Sequence, residues 1–361
     1  MGDRYRQRVR NLLALPEQGV DAHLIVSSEN RFYLSGFSGS AGWLLVGGGE
    51  RFLLTDSRYA EQAGTEASDY DVVVSPSLPG GVVKIIAEQG WKRVAIDSPH
   101  VSVQGLEQLR QAGPLIQWVP QAGRVETLRR VKDEDEVACI RGAAKIADRA
   151  LQQVMEMIRP GISEKALGVA LEHAMREGGA EALSFRTIVA SGPRGSLPHA
   201  QPSPRIMEGG DLVTIDFGAV FRGYHSDETV TVPVSAAHAN RQQRHIYDIV
   251  RQAQKAGLDI VKPGVKASAV DAAAREVIAR EGFGDLFGHG TGHGVGLEVH
   301  EDPFIGPRYQ PDFELEPGMV VTVEPGIYRP GSMGVRLEDT VAVTSAGYQR
   351  LTRWDKGWPA S

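Results

Sequence analysis

Short apolar runs alternate with polar and glycine-rich stretches over the first third of the chain. HLIVSS from His23, WLLVG from Trp43, RFLLTD from Arg51, DVVVS from Asp71, RVAID from Arg93 and LIQWV from Leu115 read as strands. Between them, Ser57 to Ala67, Gly81 to Gln89 and Val103 to Gln111 read as short helices. This alternation predicts an α/β layer structure over residues 1–125. The strongly charged stretch Glu126 to Glu136 then leads into a long helix. Its apolar positions are Val137, Ile140, Ala144, Ala147, Leu151, Val154 and Ile158, and Pro160-Gly161 ends it.

The pattern then repeats. RPGISEKALGVALEHAMREGG from Arg159 aligns without gaps to KPGVKASAVDAAAREVIAREG from Lys262. Both predict an amphipathic helix behind a Pro-Gly turn, and a further helix, His245 to Leu258, precedes the second copy. Each copy is followed by an apolar strand that ends in an acid and a glycine, with a second acid beyond. The first has Asp216 in LVTIDFG and Asp227 in HSDETVTV; the second has Glu324 in VVTVEPG and Glu338 in VRLEDTVAV. Residues 126–350 therefore read as one helix-helix-strand unit used twice, with a site at the interface of the two halves.

Between the copies of the strand lies GHGTGHGVGLEVHEDP, from Gly288 to Pro303, with His289, His293 and His300 among five glycines. So much glycine implies tight turns or close backbone approach. A single acid at a strand end is ordinarily a turn or cap residue. Matched acids in β-prone runs are different, because burying several carboxylates together is costly without cations. Four carboxylates and one imidazole make a ligand set for hard or borderline divalent metals. The glycine-rich run does not satisfy G-x-G-x-x-G, and HEDPF is not H-E-x-x-H.

Composition narrows the field. With 361 residues the chain is long enough for two domains, and its net charge of -6 carries no basic footprint for nucleic acid or membrane surfaces. No apolar run is long enough for a transmembrane helix, and the N-terminus lacks the apolar core of a signal peptide. The single cysteine, Cys139, is expected to be a small buried hydrophobe, and its isolation fits a reducing cytoplasm.

With these motifs the sequence resembles the pita-bread metallopeptidases, the family of Xaa-Pro aminopeptidases and Xaa-Pro dipeptidases (prolidases). NRFYLSGFSGSAG from Asn30 and LLTDSRYAEQA from Leu53 resemble the accessory domain of its proline-specific members; DFGAVFRGYHSDET, GHGVGLEVHE, VEPGIY and RLED resemble its catalytic motifs. The resemblance implies an α/β accessory domain, 1–125, before a pita-bread catalytic domain, 126–361, with a pseudo-two-fold repeat. It implies two divalent metals, with manganese, cobalt and zinc all suited. Asp216, Asp227, His293, Glu324 and Glu338 match the ligands. Asp227 and Glu338 would bridge, His293 and Glu324 would complete one metal, and Asp216 the other.

The resemblance also implies roles around the metals. Glu324 matches the group that takes and returns a proton as metal-activated hydroxide attacks the carbonyl before proline. His300 matches a donor to the oxyanion, His199 a residue lining the substrate site, and His289 one near the proline pocket. Tyr328 and Arg336 fall near the site; Arg336 would orient Glu338 or bind a substrate carboxylate. His173, His225 and His245 read as structural. Some prolidases carry an arginine just before the ligand histidine, where this chain has His289-Gly290-Thr291-Gly292. Arg31, Arg51 and Arg58 flank the Gly36-to-Gly42 loop and are candidates for a carboxylate clamp, from this chain or a partner, since the family commonly forms homodimers. Small proline-containing peptides are the expected substrates, dipeptides ahead of longer peptides, with aminopeptidase action on longer peptides as the alternative. A non-catalytic binding protein, creatinase and methionine aminopeptidase are disfavoured by the intact ligand set or by the N-terminal motifs.

Overall fold

Leu44, Leu45, Leu53 and Leu54 are wholly buried in two neighbouring strands, as expected for a sheet covered on both faces. The computed structural model describes residues 2–16, 19–307 and 309–358. The chain divides into two compact units, Met1–Arg129 and Arg130–Ser361.

The first unit is built on strands β1 (Ala22–Ile25), β2 (Trp43–Gly47), β3 (Glu50–Thr55), β4 (Asp71–Val74), β5 (Arg93–Asp97) and β6 (Gln117–Gln121). They form one mixed sheet in the order β4-β3-β2-β1-β5-β6. Six helices accompany it: α1 (Gly2–Ala14), α2 (Ser28–Ser35), α3 (Ala60–Glu66), α4 (Leu78–Gln89), α5 (Val103–Ala112) and α6 (Arg124–Arg129). Val82 and Ile86 of α4 and Leu109 of α5 pack with Leu24, Leu45, Leu54 and Val94 of the sheet. The sequence reading did not find α1 or α2. It carried the first strand through Ser28, but Ser27 caps α2 by accepting from Asn30 N, and Gly36 closes the helix at φ 77°. LIQWV also shifts: the strand starts at Gln117, and Leu115 is 95% exposed.

The Gly36-to-Gly42 loop is held from inside this unit. Arg31 is buried and donates to the carbonyls of Gly42, at 2.6 Å, and of Gly39. Its guanidinium is thus committed to the loop and not presented as a clamp. Arg58 pairs with Asp56 at 2.8 Å, and Arg51 is half-buried in β3.

The second unit contains the repeat. Its helices are α7 (Glu134–Val154), α8 (Glu164–Glu177), α9 (Arg241–Asp259) and α10 (Ala267–Arg280). The charged stretch before α7 supplies a capping box, with Asp133 and Glu136 each accepting from the other's backbone N–H. Cys139 on α7 is half-buried, not fully buried as expected. The Pro-Gly turns put Gly161 at φ 92° and Gly264 at φ 80°, one ahead of α8 and one ahead of α10. The strands are β7 (Ala182–Leu183), β8 (Ile188–Ser191), β9 (Leu212–Phe217), β10 (Ala219–Phe221), β11 (Tyr224–His225), β12 (Glu228–Pro233), β13 (Gly292–Gly294), β14 (Glu301–Ile305), β15 (Val320–Val323), β16 (Gly326–Arg329), β17 (Met333–Arg336), β18 (Asp339–Thr344) and β19 (Gly347–Arg350).

The order β12-β9-β8 in one sheet is matched by β18-β15-β13 in the other, all antiparallel. Leu151, Leu167 and Leu171 pack on Val213, Ile215 and Val230 in the first half. In the second, Leu258 and Val270 pack on Val321, Val323 and Val341. The rest of the α9 stripe, Ile246, Ile249 and Val250, packs with Ile278 of α10 on Ile327, Met333 and Val335 of the β16-β17 pair and on Leu212 of β9.

Candidate active site

The repeat sets the acids. Asp216 lies in β9, and Glu324 follows the last residue of β15. Asp227 immediately precedes β12 and Glu338 immediately precedes β18. Two threonines, each two residues past an acid, join the halves. Thr229 Oγ1 donates to Glu338 Oε2 at 2.7 Å, and Thr340 Oγ1 donates to the Asp227 carbonyl at 2.6 Å. Glu338 N also donates to the Thr229 carbonyl at 3.1 Å.

His293 comes from β13, squeezed between β14 and β15. A Cβ on Gly292 would lie 2.1 Å from the Thr322 carbonyl oxygen, and one on Gly294 2.4 Å from that of Asp302. The glycine content of this run therefore reflects close strand approach. His293 Nδ1 lies 3.0 Å from the Gly294 carbonyl, an orienting partner that leaves Nε2 toward the acids. Nε2 is 3.3 Å from Glu324 Oε1 and 3.6 Å from Asp227 Oδ2. Thr322 Oγ1 accepts from His293 N at 3.1 Å and donates to Glu324 Oε1 at 3.3 Å.

These side chains form overlapping triads. Ligand atoms of Asp216, Asp227 and Glu338 lie within 4.8 Å of one another, as do those of His293, Glu324 and Glu338, and those of Asp227, His293 and His300. Burial, then the neighbouring carboxylates, pushes Asp227 and Glu338 well above the usual range; burial raises Asp216 as well, against the Arg336 charge. Burial acts on Glu324 too, but His293, His289 and Arg336 together outweigh it and hold this carboxyl at about 2. Among the described residues, Asp216 Oδ1 and Glu338 Oε1 are buried without a hydrogen-bond donor. Orphaned oxygens in a cluster of acids fit a cation, which would satisfy them and offset the repulsion.

The remaining predicted residues line the same cavity of ≈440 Å³ or back it. His199 and His300 are exposed to it, and the His300 ring centroid is 4.3 Å from that of His293. His289 lies along its wall with Nε2 2.9 Å from Tyr328 Oη. Among the described residues Arg336 makes no direct hydrogen bond or ion pair with Glu338, and the two are linked through Thr229 Oγ1. Arg336 Nη2 donates to Asp216 Oδ2 at 2.6 Å, Nη1 to Tyr328 Oη at 2.9 Å and the Pro198 carbonyl at 3.1 Å, and Nε to Thr229 Oγ1 at 3.1 Å. Asp216 sits next to β12 in register with Thr229, within reach of that guanidinium. Arg336 is buried and has a protein acceptor on each nitrogen. Of the histidines read as structural, His225 Nδ1 is 2.9 Å from Ser184 Oγ, His173 pairs with Glu177 at 3.3 Å, and His245 packs edge-on to Phe283.

Sequence reasoning missed Thr229 and Thr322, and also the apolar wall of Phe185, Ile188, Pro198, Phe304 and Tyr309. It missed Asp271 of α10 too, which accepts from Thr291 Oγ1 at 2.8 Å and fixes the approach to His293. Its signal was an acid on a helix stripe otherwise read as apolar.

The chain as a whole is similar to known proteins. The profile described as "Metallopeptidase family M24" matches residues 138–345. The chain belongs to metallopeptidase family M24. It is a peptidase, and residues 6–131 match the "Creatinase/Prolidase N-terminal domain". A solved structure of a Xaa-Pro dipeptidase from Bacillus anthracis superposes at TM-score 0.94 with 39% identity, over 98% of this chain and 99% of that one. A Xaa-Pro dipeptidase of Pyrococcus horikoshii is 36% identical over 98% of this chain and 99% of its own length. The X-Pro aminopeptidase of Thermotoga maritima matches at TM-score 0.88 and 36% identity, over 94% and 97%. The M24 peptidase therefore has the expected pita-bread fold behind a creatinase-like domain. Family membership implies divalent metal, and the four acids and His293 fit one chemically. No helix among the described residues is long and apolar enough to cross a membrane.

Proposed function

We propose that this peptidase hydrolyses the bond before proline, with Xaa-Pro dipeptides as its preferred substrates. The observation that carries the reading is the acid-histidine cluster at the floor of a small cavity walled by Ile188, Pro198, Phe304 and Tyr309. Such a wall suits a pyrrolidine ring. Full-length similarity to proteins named Xaa-Pro dipeptidase supports the same substrate.

Asp216, Asp227, His293, Glu324 and Glu338 would hold two divalent ions, with Asp227 and Glu338 shared between them. Bound ions supply a Lewis acid for the scissile carbonyl and acidify water. An oxygen-rich set with one imidazole suits manganese, and also cobalt or zinc. Glu324, within reach of His293 at the cavity floor, is the group that accepts a proton and returns it to the leaving proline nitrogen. Burial lowers the His300 pKa, and its neutral ring would offer one N–H to the developing oxyanion. His199 and His289 line the substrate, and the free amine is held on the Asp216 side. Arg336 keeps Asp216 and Tyr328 in place. Catalysis belongs to residues 126–361 and 1–125 are accessory; the enzyme works as a cytoplasmic homodimer.

Initial rates with each metal on Ala-Pro, Ala-Ala and Ala-Pro-Ala test the reading. Ala-Pro is expected to be turned over fastest. Faster cleavage of Ala-Ala would remove proline specificity, and faster cleavage of Ala-Pro-Ala would make the chain an aminopeptidase.

A further inference from the structure

Each acid proposed to be shared by the ions is followed at once by a second acid, Glu228 after Asp227 and Asp339 after Glu338. Successive residues of an extended chain point to opposite faces, so the second acids lie behind the ligands and not beside them. Both are buried, Glu228 at 1% exposure and Asp339 at 0%. One cation serves both. Lys356, in the segment after β19, is itself buried; its Nζ donates to Glu228 Oε1 and stands 3.6 Å from Asp339 Oδ1. Asp339 would be satisfied without it, because Thr352 Oγ1 donates to Oδ1 at 2.8 Å, Gln254 Nε2 to Oδ2 at 3.0 Å, and Arg350 Nη2 to Oδ2 as well. Glu228 would not: its Oε2 has no donor among the described residues, and Asp148 of α7 sets a further carboxylate beside it. The segment carrying Lys356 is held in turn by Tyr247 of α9, whose Oη donates to the Lys356 carbonyl at 3.1 Å.

We infer that Lys356 is a positioning residue that fixes the separation of the two shared ligands from the face opposite the ions. The inference rests on the reading of Asp227 and Glu338 as shared ligands. Glu228 opens β12 in the first half of the repeat, Asp339 opens β18 in the second, and Lys356 belongs to neither strand. A charge held between two buried carboxylates cannot follow one of them without leaving the other bare, which is strongly unfavourable out of water. Glu228 and Asp339 are therefore kept at one separation, and a single planar peptide unit carries that constraint to each ligand. The Thr229 and Thr340 bonds join the same strands on the ligand side, and Lys356 joins them behind. Lys356 does not line the substrate cavity, so its loss is felt in the metals and in kcat, not in substrate binding.

The test compares wild type, Lys356→Met and the double variant Glu228→Gln/Lys356→Met, each first stripped of metal. Lys356→Met leaves Glu228 buried with no cation and is expected to lower the urea midpoint. The double variant removes one charge of each sign and is expected to regain most of that midpoint. Its manganese affinity by calorimetry is nevertheless expected to stay roughly 10- to 100-fold below wild type, the cost of losing an outer support of the ligands. At a fixed, sub-saturating manganese level, kcat on Ala-Pro is expected to fall with it, KM to stay within about twofold, and added manganese to restore part of the rate. A double variant with wild-type midpoint, manganese affinity and kcat would make Lys356 a packing residue and overturn the inference, as would a KM that rises with kcat unchanged. A wild type that binds fewer than two manganese ions would overturn the shared-ligand reading and the inference with it.

Discussion

Glu338 gives one carboxylate oxygen to Thr229 and keeps the other without a donor. Thr229→Val would free the first oxygen as well and let the carboxylate rotate. Metal affinity is expected to fall roughly 10- to 100-fold, as for other outer partners of ligands; titration with manganese followed by calorimetry measures it, and unchanged affinity would show that Thr229 serves packing alone. Asp227→Ala should cost more than that range in turnover, because both proposed ions lose a ligand. Near-normal rates with two ions still bound would remove Asp227 from the ligand set. His300→Ala should keep its metal and lose about 3 kcal/mol of transition-state stabilisation, several hundred-fold in kcat. Metal loss measured by elemental analysis would instead make His300 a ligand, a role its triad with Asp227 and His293 makes geometrically accessible. The acids could be read from sequence because each sits in a β-prone run where carboxylates are unexpected. The threonines could not, since Thr229 and Thr340 look like ordinary strand residues until the two halves are brought together.

At the level of elements, β13 is the least tolerant. Gly292→Ala would drive a methyl group into the Thr322 carbonyl, which belongs to the backbone of β15 and cannot rotate away. The strands would have to separate and carry His293 away from Glu324. A loss of more than about 3 kcal/mol is expected from such overpacking against backbone, read as a lower urea midpoint, and wild-type stability would refute the close approach. The long amphipathic helices and the buried strands were legible, because periodicity is strongest there. Short elements were not. α2 has eight residues and depends on the Ser27 cap and the Gly36 turn more than on an apolar stripe. Leu115, apolar and adjacent to strand residues, belongs to the turn after α5, so hydrophobicity alone misplaced that boundary.

At the scale of the whole molecule, a cluster of buried acids weakens the fold unless a cation is present. Saturating metal, at about 100 times Kd, is expected to add roughly 2.7 kcal/mol, raising Tm by about 5–10 °C for a unit of this size. Scanning calorimetry in EDTA against manganese reads this directly, and a Tm indifferent to metal would mean that no ion is held by these groups. The reciprocal threonine bonds across the halves have a further consequence. Asp227 to Thr229 and Glu338 to Thr340 share one spacing, and each threonine reaches the opposite half. Cut the chain between the halves, and each piece would carry two acids and an unmet threonine. Two identical pieces could still close around an axis, but they would offer the same side chains twice over. A single continuous chain escapes that obligation. One half can keep His293 while the other gives the equivalent strand to Ile188, so the floor that binds charge and the wall that meets substrate can change separately, although they descend from one pattern.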